Sequence, residues 1–272
     1  MKIQYDIQFK PELQQNAWEQ LKQFTDARIA LGRVGGSLPT RPALEFQLAH
    51  AQAKDAVLKI LDVQAMMEKL SHLQTDLLHI YSCAEDKDQY LKRPDLGREL
   101  SETSRQSLQH YHAGHAAEYD VVIVAGDGLS ARAIEDNAPH FIEKLQQCCI
   151  DEGWSVAPVV IATGSRVALG DEVAQILNAK MLVMLIGERP GLSSPDSMGI
   201  YYTWNACKGC HDAMRNCISN VRPAGLSELI ALQRLMTLMK KSRQLQLSGV
   251  KLKDEHEMMV ESQFSGQEKR IF

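Results

Sequence analysis

From Glu118 onward the chain alternates near-continuous apolar runs with helical patterns, and this restricts the possible fold more than any other feature. The apolar runs are Tyr119 to Ala125, Val156 to Ala162 and Lys180 to Ile186. Between them lie Ala131 to Glu152, a long amphipathic pattern, and Asp171 to Leu177, a short helical one. A strand without polar alternation is buried on both faces, and intervening helices supply the cover, so the pattern predicts a parallel sheet. Gly199 to Trp204 adds an edge strand. Leu226 to Gln244 closes the pattern as a helix carrying Leu229, Leu232, Leu235, Met236 and Met239. The expected fold class is α/β, a Rossmann-like parallel sheet with flanking helices.

The residues before this point read differently. Leu13, Ala17, Trp18, Leu21 and Phe24 fall at helical spacing over 11–24, and Gly32, Gly35 and Gly36 then interrupt the pattern. A helix is expected from Pro42 to Ile60 with Thr40 as its cap, and another over Val63 to Leu70. Leu77 to Ser82 reads as a short strand, and Gln89 to Arg98 leads into a helix that ends near Gly114. The organisation expected is a mostly helical N-terminal region at 1–115, the α/β domain at 116–255 and a charged tail at 256–272.

Composition narrows the function classes. The 272 residues are 44% apolar and 24% charged, enough for a well-buried core. A net charge of -4 leaves no electrostatic footprint for nucleic acid, and no stretch approaches a membrane-spanning helix. The start Met1-Lys2-Ile3-Gln4-Tyr5-Asp6 lacks the apolar core of a signal peptide. The six cysteines are therefore expected to be reduced, in the cytoplasm.

In an open parallel sheet, ligands bind beyond the carboxyl ends of the strands. Three loops occupy that edge: Gly126 to Ser130, Thr163 to Val167 and Gly187 to Gly191. The run Leu185 to Gly199 sets three glycines and two prolines around Glu188-Arg189, the composition of a rigid ligand-facing loop. Glu188 accepts hydrogen bonds from amide donors or braces the turn against Arg189, whose fork can equally hold a phosphate. Arg166 reads either as a surface charge or as a ligand contact, and its position two residues past a glycine at a strand end favours the ligand. Gly126-Asp127-Gly128-Leu129-Ser130 partly satisfies a dinucleotide fingerprint, but the third glycine is missing, and a tight turn explains it better.

Cys207-Lys208-Gly209-Cys210-His211 has the spacing of a haem attachment site, and Cys217 could complete a zinc set. Haem attachment needs export and zinc needs a second knuckle, so reduced structural thiols are expected instead. Cys148 and Cys149 fall on the long helix as buried positions. His79, His110, His112 and His115 form no ligand spacing, Met66, Met67, Met236 and Met239 read as core, and no catalytic triad or paired-carboxylate constellation follows from spacing.

Residues 187–199 together with Arg215-Asn216-Cys217-Ile218-Ser219-Asn220-Val221-Arg222 closely resemble the small subunit of ethanolamine ammonia-lyase. Further similar stretches are Arg28 to Arg33, Leu48 to Val57, Arg93 to Arg98, Asp127 to Ser130, Arg166 to Glu172 and Ser248 to Glu255, in order along almost the whole chain. The resemblance implies an enzyme that uses adenosylcobalamin to convert ethanolamine to acetaldehyde and ammonia. Cobalt–carbon homolysis yields an adenosyl radical that removes hydrogen from the carbinol carbon; the amino group leaves and hydrogen returns. In this family a large subunit holds the substrate and the small subunit helps clamp the corrinoid, so this chain is expected to need its partner and to carry no catalytic residue or metal ligand of its own.

Carried over position by position, the family's cobalamin contacts fall on Val167, Glu188 and Cys217. The chain lacks the Asp-x-His-x-x-Gly signature of proteins that replace the cofactor's lower base, since Asp254-Glu255-His256-Glu257-Met258-Met259 ends without the glycine. Binding with the nucleotide base still on cobalt is the implied mode. Some relatives begin with a long extension associated with entry into a bacterial microcompartment, whereas the similarity here starts almost at once; encapsulation stays open. Rival readings are a nicotinamide-dependent oxidoreductase, which would want an acidic residue where the second strand instead runs into Ala162-Thr163-Gly164, and a non-catalytic scaffold subunit.

Overall fold

The computed structural model describes residues 17–115 and 117–253. The start of the helix expected at 11–24, Asp254 to Met259 and the tail at 256–272 fall partly or wholly outside them. Contacts divide the chain into two units, one ending at Ala51 and the other beginning at Gln52. In the first, Ala17–Phe24 winds as a 3-10 helix, Val34 and Ser37 close a tight turn, and Thr40 opens helix α1, Thr40–Leu58, which runs on into the second unit. Pro42 is accommodated there because the first helical turn has no intrahelical acceptor for the missing N–H.

The second unit is built on a six-stranded sheet. Its strands are β1 Leu77–Tyr81, β2 Tyr119–Gly126, β3 Val159–Thr163, β4 Ala179–Gly187, β5 Met198–Trp204 and β6 Arg215–Val221, in the order β1-β3-β2-β4-β5-β6. The first four pair in parallel, β4 to β5 and β5 to β6 antiparallel. Among the described residues six further α-helices accompany them: α2 Val63–Leu70, α3 Lys87–Lys92, α4 Glu102–His115, α5 Ala131–Asp151, α6 Leu169–Ile176 and α7 Glu228–Leu245.

Burial on both faces explains the unbroken apolar runs. Val121, Ile123 and Ala125 pack with Met66 of α2, Phe141 of α5 and Leu235 of α7. The alternate residues Val122 and Val124 pack with Leu108 of α4 and Val173 of α6 on the other side. Each such fully buried side chain contributes about 1.5–3 kcal/mol. The architecture is therefore α/β, but its sheet is mixed, not wholly parallel. Gly199 to Trp204 is not an edge strand either: β5 is covered by β6, whose burial alternates poorly because only Arg215, Ile218 and Val221 turn inward.

Two features place a ligand edge. The loop after β2 feeds α5 on one face and the loop after β3 feeds α6 on the other, which opens a crevice at the carboxyl ends of these neighbouring strands. The helices on the second face are tied by Arg105 of α4, whose Nε donates to Glu172 of α6 at 2.6 Å.

That ion pair carries a pH signature. Burial raises the Glu172 pKa, but the Arg105 hydrogen bond and the charges of Arg105 and Lys208 outweigh it, so the net direction is down. A lowered folded-state pKa adds stability above the unfolded-state value of about 4.3, which is lost as pH falls through the folded value. Glu172→Gln is expected to cost about 1–3 kcal/mol at pH 7 and progressively less below pH 4. Urea unfolding of both proteins across that range checks it; a difference independent of pH would contradict the assignment.

Candidate functional site

The crevice is floored by a close meeting of two turns. Gly128 has φ +54°, and a Cβ there would collide with the Gly187 carbonyl oxygen. The Leu129 N–H donates to that same oxygen at 2.9 Å. The glycine is required because the turn after β2 lies directly against the end of β4, which accounts for the partial dinucleotide motif through packing. Ser130 then caps α5 by accepting from the Ala133 N–H at 3.2 Å, while its hydroxyl donates to the Pro195 carbonyl at 2.8 Å.

Asp127, between these residues, is buried. Its Oδ1 accepts from the Ser165 N–H at 2.9 Å, joining the turns after β2 and β3. Lys87 of α3 donates to the Gly128 carbonyl at 3.1 Å and lies 3.8 Å from Asp127 Oδ2. Burial pushes the Asp127 carboxyl up and the Lys87 ammonium down, each opposed by the other's charge.

Tyr90 of α3 extends this frame to the second rim loop. Its buried hydroxyl donates to the Ser165 carbonyl at 3.1 Å, and the Arg166 guanidinium sits 4.3 Å from its ring centre. The Arg166 N–H donates to Gly97 O at 2.7 Å. A side chain at Gly97 would meet Arg166 Cγ, Gly164 O and the Tyr90 ring at 2.9–3.0 Å, so the stretch Arg93 to Arg98 presses closely on this loop.

Glu188 stands at the end of β4. Its carboxylate accepts from the hydroxyls of Ser197 and Ser219 and from the Asn220 N–H at 3.2 Å. The brace therefore reaches across the sheet to β6, and Glu188 is not tied to Arg189. Tyr201 of β5 stands opposite Cys217 of β6 in the antiparallel register. Withdrawal from water pushes the Cys217 thiol up, and the Glu188 charge adds to it. Arg215, at the start of β6, makes a bidentate pair with Asp171 and fixes that strand to α6, the helix that follows the second rim loop.

The sequence-derived residues thus fall into one neighbourhood. One cavity of about 390 Å³ is lined by Tyr90, Leu129, Arg166, Val167, Glu188 and Tyr201, among others. A second, of about 430 Å³, shares Arg166, Val167 and Tyr201 and continues to Arg98, Cys210 and Arg215. Val167 lines both cavities and Glu188 the first; Cys217 lines neither and is the strand partner of Tyr201. Sequence reasoning did not single out Tyr90, Tyr201 or Lys87. The one available signal was Tyr201-Tyr202 opposite the Arg215 to Arg222 stretch, and it required the unrecognised strand β6.

The remaining motif residues lie nearby or apart. Cys207 and Cys210 place their sulfurs 3.9 Å from each other in the loop between β5 and β6. Cys149 is buried and Cys148 half-buried on α5. His79 lies on β1, and His110, His112 and His115 lie on α4. No helix among the described residues is long and apolar enough to cross a membrane.

These features define an α/β protein with a polar rim at the carboxyl edge of a mixed sheet. Comparison with known proteins specifies it further. Residues 15–253 match the family model of the ethanolamine ammonia-lyase light chain (EutC). The chain is 52% identical over 246 residues to an ethanolamine ammonia-lyase small subunit of Pseudomonas aeruginosa, covering 90% of each chain. It is 49% identical over 254 residues to one of Pseudomonas fluorescens, covering 93% of each. The chain belongs to the ethanolamine ammonia-lyase light-chain family.

The floor of the rim gives a direct test of this geometry. Gly128→Ala is expected to destabilise the fold by about 2 kcal/mol or more, since the added methyl meets a backbone carbonyl and the φ is unfavourable. Thermal unfolding of the purified chain checks this, and an unchanged midpoint would refute the close approach.

Proposed function

We propose that this chain is the corrinoid-holding subunit of an adenosylcobalamin-dependent ethanolamine ammonia-lyase, active with a large subunit that holds ethanolamine. The observation that carries the reading is that Val167 and Glu188, marked by resemblance, line one cavity together, and that Cys217, marked likewise, is the strand partner of Tyr201 on the same lining. Membership of the light-chain family supports the same reading.

The donor set suits a corrinoid. Its periphery carries neutral carboxamide arms that need both acceptors and donors, over a broad apolar body. Glu188 uses three acceptor positions internally and keeps further lone-pair capacity for an amide N–H. Arg166 has a buried Nε with no hydrogen-bond partner among the described residues. Val167, Leu129 and Tyr201 supply apolar contact, and Cys217 holds the Tyr201 ring in place as a packing partner. When bound, the cofactor supplies the carbon-centred radical that begins removal of hydrogen from ethanolamine. This chain's residues orient the corrinoid and exclude water from one side of it; the substrate-facing side belongs to the large subunit.

Co-expression of both chains, with adenosylcobalamin and ethanolamine added, is expected to yield acetaldehyde, and either chain alone to yield none. A folded complex without product would overturn the assignment in favour of a scaffold role. Within the complex, Glu188→Ala is expected to weaken cobalamin binding by about tenfold. The lost braces to Ser219 and Asn220 should also cost about 1 kcal/mol of stability, leaving the chain folded. Equilibrium dialysis with cyanocobalamin, alongside thermal unfolding, separates these effects; unaltered affinity would remove Glu188 from the site.

A further inference from the structure

Four arginines, Arg98, Arg166, Arg189 and Arg215, line the two adjoining cavities, together with the carboxylates of Glu188 and Asp212. Arg215 is committed to Asp171, and Lys87 stands beside Asp127. Among the described residues, Arg98 and Arg166 have no such carboxylate, although both line the second cavity. The acidic residue on that lip, Asp212, is itself drawn to Arg215 at 3.6 Å. Arg166 is held in a fixed orientation: its guanidinium is stacked on Tyr90, and Nη2 donates to the Tyr90 carbonyl at a long 3.4 Å. Its Nε is buried without an acceptor. A buried donor on a positioned guanidinium is costly to leave unpaired, and a planar fork of this kind matches phosphate oxygens.

We propose that Arg166, with Arg98 beside it, is the phosphate subsite of the rim and holds the phosphodiester of the corrinoid's nucleotide arm. The inference rests on the corrinoid reading above and adds a site for the ligand's only fixed negative charge. The tyrosine ring and the close pressure of Gly97 are then positioning devices, since they set the direction of the Arg166 fork. Charge at this point also distinguishes complete cobalamin from corrinoids that lack the nucleotide arm.

The test uses the complex with the large subunit and three probes: cyanocobalamin, cobinamide phosphate, which has a phosphate but no base, and dicyanocobinamide, which has neither. Arg166→Met keeps an apolar stem over Tyr90 and removes the charge. It is expected to weaken binding of the two phosphate-bearing probes by about tenfold or more and to leave dicyanocobinamide within about twofold. Arg166→Lys should fall between, and unchanged thermal midpoints would exclude a folding defect.

Equal loss for all three probes, or no loss for any, overturns the subsite while leaving the corrinoid reading intact. A wild-type complex that binds none of them overturns both. Adenosine monophosphate provides the remaining arm: binding to wild type but not to Arg166→Met, with cobalamin affinity the same in both, would assign the subsite to a free nucleotide and overturn the proposal.

Discussion

The buried Asp127 carboxylate is the constraint on which the ligand edge depends. It sits in the turn after β2, accepts from Ser165 in the turn after β3, and faces Lys87 from the segment after β1. Three consecutive crossover connections thus meet at one carboxylate. A charge this buried is tolerable only with a cation and hydrogen-bond donors around it, and removal of one partner leaves the other stranded. Lys87 also holds the Gly128 carbonyl, so the same pair fixes the turn that lies against β4. Arg166 and Val167 begin right after Ser165, and their positions follow from this anchor.

The antiparallel half of the sheet supplies the other side. Of the three positions marked by the family resemblance, only Val167 and Glu188 belong to the parallel half. The register Tyr201↔Cys217 brings the third residue in, and the Glu188 brace to Ser219 and Asn220 locks β6 onto the end of β4. Asp171 and Arg215 perform the equivalent task on the second loop, with α6 tied to the first residue of β6. The rim is therefore assembled from both halves of a mixed sheet.

How much of this was legible depended on how each residue is buried. The parallel strands were readable because burial on both faces leaves no polar gaps: Tyr119 to Ala125 corresponds to β2 within one residue at its end. Val63 to Leu70 and the long α5 were readable because their apolar residues recur at helical spacing. β6 was not, since Arg215, Asn216, Ser219 and Asn220 are polar and a register irregularity near Met198 and Ile200 breaks the alternation. The edge position expected for β5 failed for the same reason. At the site, Glu188 stood out through the glycines and prolines around it. Its partners Ser197 and Ser219 did not, because a long-range hydrogen bond leaves no periodic trace, and resemblance alone brought in Cys217.

The braces at this rim are internal to the chain, which has a consequence for binding. Asp127 with Lys87, Asp171 with Arg215, and Glu188 with its hydroxyl donors hold the loops before any ligand arrives. Little conformational entropy then remains to be lost on association, so the groups left with spare capacity act at nearly their full strength. Those groups are few and differ in chemistry: a carboxylate with free lone pairs at Glu188, a guanidinium with an unsatisfied N–H at Arg166, and apolar contact from Val167 and Tyr201 between them. An acceptor at one end and a cation at the other impose a direction on whatever lies across the apolar centre. The rim thus selects orientation as well as composition.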